Sequence, residues 1–408
     1  MRDRLVSLGS FERERRTCNL CPKLCHHACP VSNAARDESL TPAAKNGAAG
    51  RVAAGMEALG AQVTDLFYAC TGCRQCQAHC EHGNDVALSL FAARGEAAAQ
   101  GSVPEAITQM LTRWDASGNP YGTDLRTAVD SVPESRRVGA SGRVAGERKR
   151  AGVPPGRGMQ VLWPGCATLH ESPGLVQRVL AVADILGEAD LLLYAGPVQC
   201  CGYPLVAAGQ MERFRRHVDE AARELRGLRR VVAVAPECAW VMTELWPRVT
   251  GVSGPRVVPL INLVVEGLHH LPAGRPVRQA LVWHDPCYLG RFLQCYDAPR
   301  KVGARVAAQP LQEPQPWTRE HGYCSGGGGL LPLTHPEIAD RITRARVADL
   351  TGESFGPPAE GAVGLRWIVT ACPTAAARFR RVGARAVDVV DLVAAFLGLC
   401  DLREVQGG

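Results

Sequence analysis

The sequence lacks the features of a secreted or membrane-spanning protein. Its first residues, from Met1 to Ser7, are partly charged and contain no apolar core of the kind found in secretory signals. No uninterrupted run of about 18 apolar residues is present, as a transmembrane helix would require. Hydrophobic residues make up 46% of the 408 residues, which is enough to build a sizeable core. We therefore expect two or three globular domains in a reducing, cytoplasmic compartment.

Fingerprints of nucleotide cofactors are also missing. No Gly-x-Gly-x-x-Gly motif follows a strand pattern, so we expect the chain itself to bind neither flavin nor NAD. The glycine run from Gly326 to Gly329 is not followed by Gly-Lys-Ser or Gly-Lys-Thr, as a phosphate-binding loop would be. We expect this run to let the backbone pass close to another part of the site, because glycine has no side chain.

A basic stretch lies between Ser131 and Arg157, with seven basic and two acidic residues. It is also rich in glycine, serine and proline and has no helical or strand period, which is typical of a solvated linker. The alternative is a docking site for an acidic partner or an anionic membrane surface. Aromatic side chains are not interleaved with the basic ones, so we expect no nucleic-acid binding.

In contrast to these absences, the chain has 17 cysteines. Many thiols in a reducing compartment favour metal binding or catalysis over disulfide bonds. Two sets of four occur in the N-terminal part, and we expect them to bind the cofactor there: Cys18, Cys21, Cys25 and Cys29, then Cys70, Cys73, Cys76 and Cys80.

The second set has the spacing C-x2-C-x2-C-x3-C, which places three thiolates around one 4Fe-4S cluster. The fourth cysteine of such a set usually binds the other cluster, so Cys80 would join the first triad and Cys29 the second. The first set departs from the pattern, because three residues separate Cys21 from Cys25. Four-cysteine zinc sites are the alternative, since C-x2-C pairs also bind zinc.

Helical sequence surrounds both cysteine sets. Ala48, Val52, Met56 and Leu59 recur at helical spacing within residues 40–69, and a second helical segment follows Cys80. With its cysteine motifs, this part resembles the α-helical ferredoxin domain of succinate dehydrogenase-type and heterodisulfide reductase-type iron–sulfur subunits. The resemblance implies two 4Fe-4S clusters that act as an electron wire.

After the basic stretch, the chain repeats itself. Each repeat alternates short apolar strands with helices, and a cysteine follows each strand. Such alternation predicts parallel sheets, in which ligands gather at the carboxyl ends of the strands. The first repeat carries Cys166, Cys200, Cys201 and Cys238, and the second carries Cys287, Cys324 and Cys372. We expect these seven cysteines to bind metal, and the second repeat to be catalytic.

These motifs resemble the cysteine-rich CCG domains of heterodisulfide reductase. They are similar also to those of the iron–sulfur subunits of glycolate oxidase, lactate-utilisation and anaerobic glycerol-3-phosphate dehydrogenase complexes. His284-Asp285-Pro286-Cys287 and Gly290-Arg291 are a strong local signature of the resemblance. His284 and Asp285 are candidates to tune or protonate the site, with a purely structural role as the alternative.

The chain departs from the family pattern at three positions. Ser325 stands where the second cysteine of the pair is expected, and Val241 and Ala375 stand where some members have a further cysteine. The first repeat therefore keeps four thiols, enough for one conventional cluster, or zinc. The second keeps three and a serine, whose hydroxyl is a poor ligand; Cys295 or His321 could substitute. Cys400 is expected to be core.

These observations predict an α-helical ferredoxin domain followed by two duplicated, Rossmann-like α/β domains with parallel sheets. The predicted boundaries are 1–110 for the ferredoxin domain, 111–157 for the linker, and 158–275 and 276–408 for the two cysteine-rich domains.

The resemblance implies an iron–sulfur oxidoreductase subunit that passes electrons between a flavoprotein or other redox partner and a cysteine-rich site. Such a subunit would be cytoplasmic, or peripheral at the inner face of the membrane through its partner. The alternatives are a thiol–disulfide reductase and a non-catalytic scaffold that binds clusters or zinc.

Overall fold

The structure is a computed structural model that describes residues 8–21, 25–139, 159–251, 254–352 and 366–405. The described residues form 21 α-helices and eight strands. The helices of the N-terminal part are α1 Glu12–Leu20, α2 Pro30–Ala35, α3 Pro42–Ala53, α4 Ala61–Tyr68, α5 Gln75–Ala78, α6 Val86–Ala99, α7 Glu105–Ser117 and α8 Arg126–Asp130.

Those of the first cysteine-rich unit are α9 Gly165–Glu171, α10 Gly174–Ile185, α11 Tyr203–Ala207, α12 Met211–Glu224, α13 Pro236–Trp240, α14 Trp246–Thr250 and α15 Leu260–Gly267. Those of the second are α16 Asp297–Val306, α17 Leu331–Thr334, α18 Pro336–Thr351, α19 Pro373–Arg381, α20 Val389–Phe396 and α21 Leu402–Val405.

The strands form two sheets in which every pairing is parallel. Their bounds are β1 Arg137–Val138, β2 Gln160–Trp163, β3 Leu192–Tyr194, β4 Arg230–Ala233, β5 Arg256–Pro259, β6 Leu281–Trp283, β7 Trp367–Thr370 and β8 Ala386–Asp388. The first sheet has the order β1-β3-β2-β4-β5 and the second the order β6-β7-β8. A helical N-terminal region followed by two parallel α/β regions confirms the predicted fold class.

The N-terminal region packs as short helices with both cysteine sets on the turns between them. The helix predicted over residues 40–69 is broken into α3 and α4, and Gly55, at φ +68°, lies in the break. A left-handed backbone at this position is compatible with glycine and ends the helix. The break directs α4 towards Cys70.

The predicted linker begins too early. Helix α7 crosses the boundary drawn after residue 110, and Met110, Leu111 and Trp114 on it are buried. Strand β1 then pairs with β3 and becomes the edge of the first sheet. The basic stretch begins only at Ser131, and the spacing of the apolar residues on α7 is helical, so the predicted linker extends over a segment that forms a helix. The rest of the predicted linker, residues 140–157, lies outside the described residues.

The two cysteine-rich units are unequal. In the first, the cysteines follow the carboxyl ends of β2, β3 and β4, three neighbouring strands of one sheet. In the second, β6 and β7 precede Cys287 and Cys372, but an isolated bridge between Val282 and Gln312 replaces a full strand in the segment before Cys324. The Cys324 loop is therefore free to leave the sheet and approach the N-terminal region.

Candidate functional site

The second cysteine set forms a buried thiol pocket together with Cys29. A small cavity is lined by the four thiols Cys29, Cys70, Cys73 and Cys76. The backbone N–H of Gly72 donates to the Cys70 sulfur at 3.4 Å, a contact that stabilises a thiolate. We call this group the inner set. It contains Cys29 from the first cysteine set and the triad of the second set, which is the grouping expected if the fourth cysteine of each set joins the other triad.

The other four N-terminal cysteines also lie close to one another. Burial, with a smaller contribution from the neighbouring thiols of Cys18, Cys80 and Cys21, raises the pKa of Cys25 to about 11. The side-chain amide of Asn84 donates to the Cys18 sulfur at 3.3 Å. We call Cys18, Cys21, Cys25 and Cys80 the outer set.

Three buried cations surround the inner set without an acidic partner among the described residues. Lys45 donates to the carbonyl of Ala69 at 2.7 Å, and Arg94 and Arg291 donate to the carbonyls of Cys70 and Cys73. The Nη2 atom of Arg291 is buried and has no hydrogen-bond partner in the described part of the chain. A buried charge normally needs a counter-charge. An anionic iron–sulfur cluster held by the four thiolates would supply it, so the residues fit such a cluster.

We expect the crossed ligands to be separable by substitution. Cys80→Ala should damage the cluster of the outer set and leave that of Cys70, Cys73 and Cys76, because the Cys80 thiol lies with the outer thiols. Electron paramagnetic resonance (EPR) of the reduced full-length protein measures this. Cys29→Ala is the reciprocal control and should damage the inner cluster. If Cys80→Ala changed the EPR signal of the inner cluster alone, Cys80 would not be a ligand of the outer cluster and the exchange of fourth ligands would be contradicted.

In the first cysteine-rich unit, four buried thiols converge at the carboxyl edge of the sheet. The Cys166 and Cys200 sulfurs are 3.3 Å apart, and Cys201 hydrogen-bonds with Cys200 and Cys238. Burial acts to raise the pKa of Cys201, but the hydrogen bonds from these two thiols hold it well below its usual value. Gly165, at φ +76°, leaves room for the Cys238 sulfur, which a Cβ there would approach to 2.9 Å. Four thiols at one point fit a soft metal centre.

In the second unit, the predicted ligands divide between two places. Cys287 and Cys372 line a cavity that also contains Cys166, Cys201 and Cys238 of the first unit. Cys324 instead packs in a buried cluster with Cys29 and Cys73. Its thiol hydrogen-bonds to the Cys73 sulfur. This bond, together with the nearby charge of Arg291, lowers the pKa of Cys73 to about 5.

Ser325 takes the place at the cavity that Cys201 has in the first unit. The glycine run after it packs on the inner set, because a Cβ on Gly328 or Gly329 would lie within 2.4 Å of the Thr71 or Cys70 carbonyl. The expectation of a close backbone approach is confirmed.

The structure places His284 and Asp285 behind the cavity and not among its lining residues. His284 is buried, and its Nδ1 atom accepts from Arg346 at 3.3 Å. Asp285 accepts from the Trp283 indole, from Arg300 and from the backbone of Arg319. Burial opposes ionisation of Asp285, but these bonds hold its pKa below the usual value. These contacts favour the structural alternative for both residues, and their catalytic role stays a prediction.

The proposed substitutes for the missing thiol do not reach the cavity. Cys295 donates to the Asn262 side chain at 3.4 Å, and the His321 ring lies 4.4 Å from that of His79. Cys400 donates to the Asp391 carbonyl, and burial raises its pKa to about 11. These contacts agree with a core position for Cys400.

The cavity has a volume of about 250 Å³ and lies between the two cysteine-rich units. Its wall includes side chains that sequence reasoning missed: Tyr121, Tyr203, Glu237 and Tyr288. Glu237 accepts from Thr374 at 3.0 Å and thereby joins the two units. Tyr203 and Glu237 lie within two residues of predicted ligand cysteines, and this proximity could have drawn attention to them. Tyr121 lies in the predicted linker, where no such signal is present.

Within the described residues, no helix has both the length and the apolar character needed to cross a membrane.

Comparison with protein families matches three parts of the chain. Residues 14–84 match the family described as a 4Fe-4S dicluster domain. Residues 161–243 and 281–380 each match the family described as a cysteine-rich domain. The N-terminal match contains every cysteine of the outer and inner sets, and the other two contain all seven cysteines singled out in the repeats.

Individual relatives are similar over longer segments. The dihydromethanophenazine:CoB–CoM heterodisulfide reductase of Methanosarcina barkeri contains a subunit that is 24% identical over 302 residues, which cover 70% of this chain and 68% of the relative. The EtfAB:quinone oxidoreductase of Syntrophomonas wolfei is 26% identical over 333 residues, 76% of this chain and 42% of the relative. One subunit of the anaerobic glycerol-3-phosphate dehydrogenase of Escherichia coli is 26% identical over 139 residues, 31% of this chain and 35% of the relative.

Proposed function

Because the chain belongs to the iron–sulfur proteins that join a 4Fe-4S dicluster domain to two cysteine-rich domains, we propose that it relays electrons from a redox partner to the cavity between those domains. Its role as an electron-transfer component of an oxidoreductase follows from the family. The route, the ligand residues and the partner are the proposal.

The contact between Cys73 and Cys324 carries this proposal. Cys73 belongs to the inner set, whereas Cys324 belongs to the second cysteine-rich unit, and their thiols share a hydrogen bond inside one buried cluster. Cys287 packs against the same cluster and also lines the cavity. These contacts support a path of thiols from the dicluster domain to the cavity.

Arg291 holds this path in place. Its Nε atom donates to the Cys73 carbonyl at 2.6 Å, and its Nη1 atom donates to the carbonyls of Glu320 and Gly322. One buried guanidinium thus joins the inner set to the loop that carries Cys324. This gives the Gly290-Arg291 signature a physical role: it fixes the distance that the electron must cross.

We assign the ligands from this geometry. The outer and inner sets would each hold one 4Fe-4S cluster, and the four thiols of the first cysteine-rich unit would hold a third. When bound, these clusters supply one-electron storage at fixed positions. The second unit keeps only Cys287 and Cys372 at the cavity, so we assign it the acceptor side and not a fourth conventional cluster.

A flavoprotein is the proposed electron donor. The relatives named above include subunits of larger oxidoreductases, and this chain has no nucleotide fingerprint of its own. Peripheral association with a membrane would then depend on the partner.

Reduction by a flavodoxin tests the relay, because a protein donor is too large to enter the cavity. In the full-length, cluster-loaded protein, freeze-quench EPR should show the first-unit cluster becoming reduced after the dicluster domain. In Cys76→Ala, which disrupts the inner cluster, that reduction should slow strongly, whereas Cys400→Ala should match the unmodified protein. Equal rates in Cys76→Ala would contradict the relay.

The disulfide reductase alternative rests on the resemblance alone. Val241 and Ala375 occupy the positions of the additional thiols, and Ser325 replaces another. A conventional cluster with an adjacent acceptor cavity accounts for the thiols that remain.

A further inference from the structure

Cys324 belongs to none of the proposed ligand sets, although the second cysteine-rich unit carries it. It is only 3% exposed and packs in a buried cluster with Cys29 and Cys73. Its thiol and the Cys73 thiol share a hydrogen bond. The backbone N–H of Gly326 donates to the Cys324 sulfur at 3.3 Å and fixes its position. The Cys324 sulfur therefore lies against a member of the inner set, whereas other thiols line the cavity.

The loop that carries Cys324 is hydrogen-bonded to the N-terminal region at both of its ends. Before Cys324, the side-chain amide of Gln75 donates to the His321 carbonyl at 2.8 Å. After it, Arg94 donates to the Gly329 carbonyl at 2.9 Å. Both donor side chains are fully buried and come from the region that contains the inner set. They hold the loop in place on that set and so determine where the thiol lies.

The opposite face of the same loop packs on helix α18. The Thr343 hydroxyl donates to the Ser325 carbonyl at 2.8 Å. Gly326 has φ +85°, and a Cβ there would approach the Ala339 carbonyl to 2.5 Å, so the turn requires glycine. The turn after Cys324 is therefore held between α18 and the inner set.

When a cluster occupies the inner set, the hydrogen of the bond between the two sulfurs must belong to Cys324. A Cys73 thiolate bound to iron carries no proton, so its sulfur can only accept. Hydrogen bonds to the sulfur atoms are among the factors that set the reduction potential of an iron–sulfur cluster. Reduction adds negative charge, and a donor stabilises a more negative acceptor more strongly. A donor at this position therefore favours the reduced form.

We propose that Cys324 is a hydrogen-bond donor that raises the reduction potential of the inner cluster, and not a ligand of a cluster in the second unit. This deepens the proposed function and rests on it, since it requires a cluster held by the inner set. One electron enters from the redox partner, no bond forms or breaks, and the proton stays on the Cys324 sulfur. A higher potential at the inner set favours the transfer of an electron to it from the outer set.

A redox titration of the full-length, cluster-loaded protein, followed by EPR, measures the potential of the inner cluster. Cys324→Ala removes the donor and should lower the equilibrium constant for reduction about tenfold, which is a shift of about 59 mV to a more negative potential for one electron. Cys324→Ser keeps a hydroxyl donor and should recover most of this shift. Both variants should keep the full iron content, because Cys324 binds no iron.

The matched control is Cys295→Ala, which removes another half-buried thiol of the second unit, one that donates to the Asn262 side chain. It should leave both the potential and the iron content unchanged. The inference is overturned if Cys324→Ala leaves the potential unchanged, if Cys324→Ser shifts it as much as Cys324→Ala does, or if both variants lose about four irons, as a ligand would. If flavodoxin fails to reduce the protein while the shift is intact, the proposed relay is contradicted and the inference stands.

Discussion

Cys201→Ser is expected to remove about four irons per chain, because it takes one of four thiolates from the first-unit cluster. Cys201 is buried and hydrogen-bonds with two of the other three thiols. A serine hydroxyl has a similar shape but resists deprotonation and is a harder ligand, so it binds iron less well. Iron and sulfide determination on the anaerobically purified full-length protein measures the loss.

Two variants control this experiment. Cys400→Ser changes a thiol that donates to a backbone carbonyl and is outside every proposed ligand set, and should keep the full iron content. Ser325→Cys restores a thiol at the cavity and should keep or raise the iron content, while it lowers acceptor-dependent activity by occupying an open position. Unchanged iron in Cys201→Ser would remove the first unit from the proposed cluster sites.

Arg94→Met is expected to destabilise the folded protein by about 3–5 kcal/mol, because it leaves several buried carbonyl groups without a donor. Arg94 is fully buried, and its guanidinium donates to carbonyl groups in three parts of the molecule. The acceptors are Phe67 and Cys70 in the N-terminal region, Ala207 in the first cysteine-rich unit and Gly329 in the second.

Anaerobic denaturant unfolding measures the effect. The control is Arg51→Met, in the same region, whose half-exposed side chain pairs with Glu57 at 2.9 Å. An exposed ion pair contributes at most about 1 kcal/mol, so this variant should stay close to the unmodified protein. If Arg94→Met lowers the free energy of unfolding no more than Arg51→Met does, the packing of the three parts does not depend on the Arg94 guanidinium.

The sequence predicted the thiol groupings well, because they follow local rules. Cysteine spacing on turns determines the outer and inner sets, and strand ends bring Cys166, Cys200, Cys201 and Cys238 to one edge. The structure groups these cysteines as the spacing predicts. Their identity as ligands remains a prediction.

Contacts between distant segments could not be predicted in the same way. Nothing near Cys324 in the sequence shows that it meets Cys73, which lies far away in the chain, because this contact depends on how three folded parts pack. The buried cations Lys45 and Arg94 were missed for the same reason. Helix α7 was missed because the predicted linker was extended over a segment whose own pattern is helical.

Metal analysis with EPR on one sample tests the central claim, that the chain is an electron relay built on iron–sulfur clusters. The full-length protein, purified without oxygen, should contain about twelve irons per chain, as three four-iron clusters. Reduction with dithionite should give the interacting signals of two neighbouring clusters and a third signal that Cys201→Ser abolishes. Stoichiometric zinc with little iron, and no signal on reduction, would contradict the account.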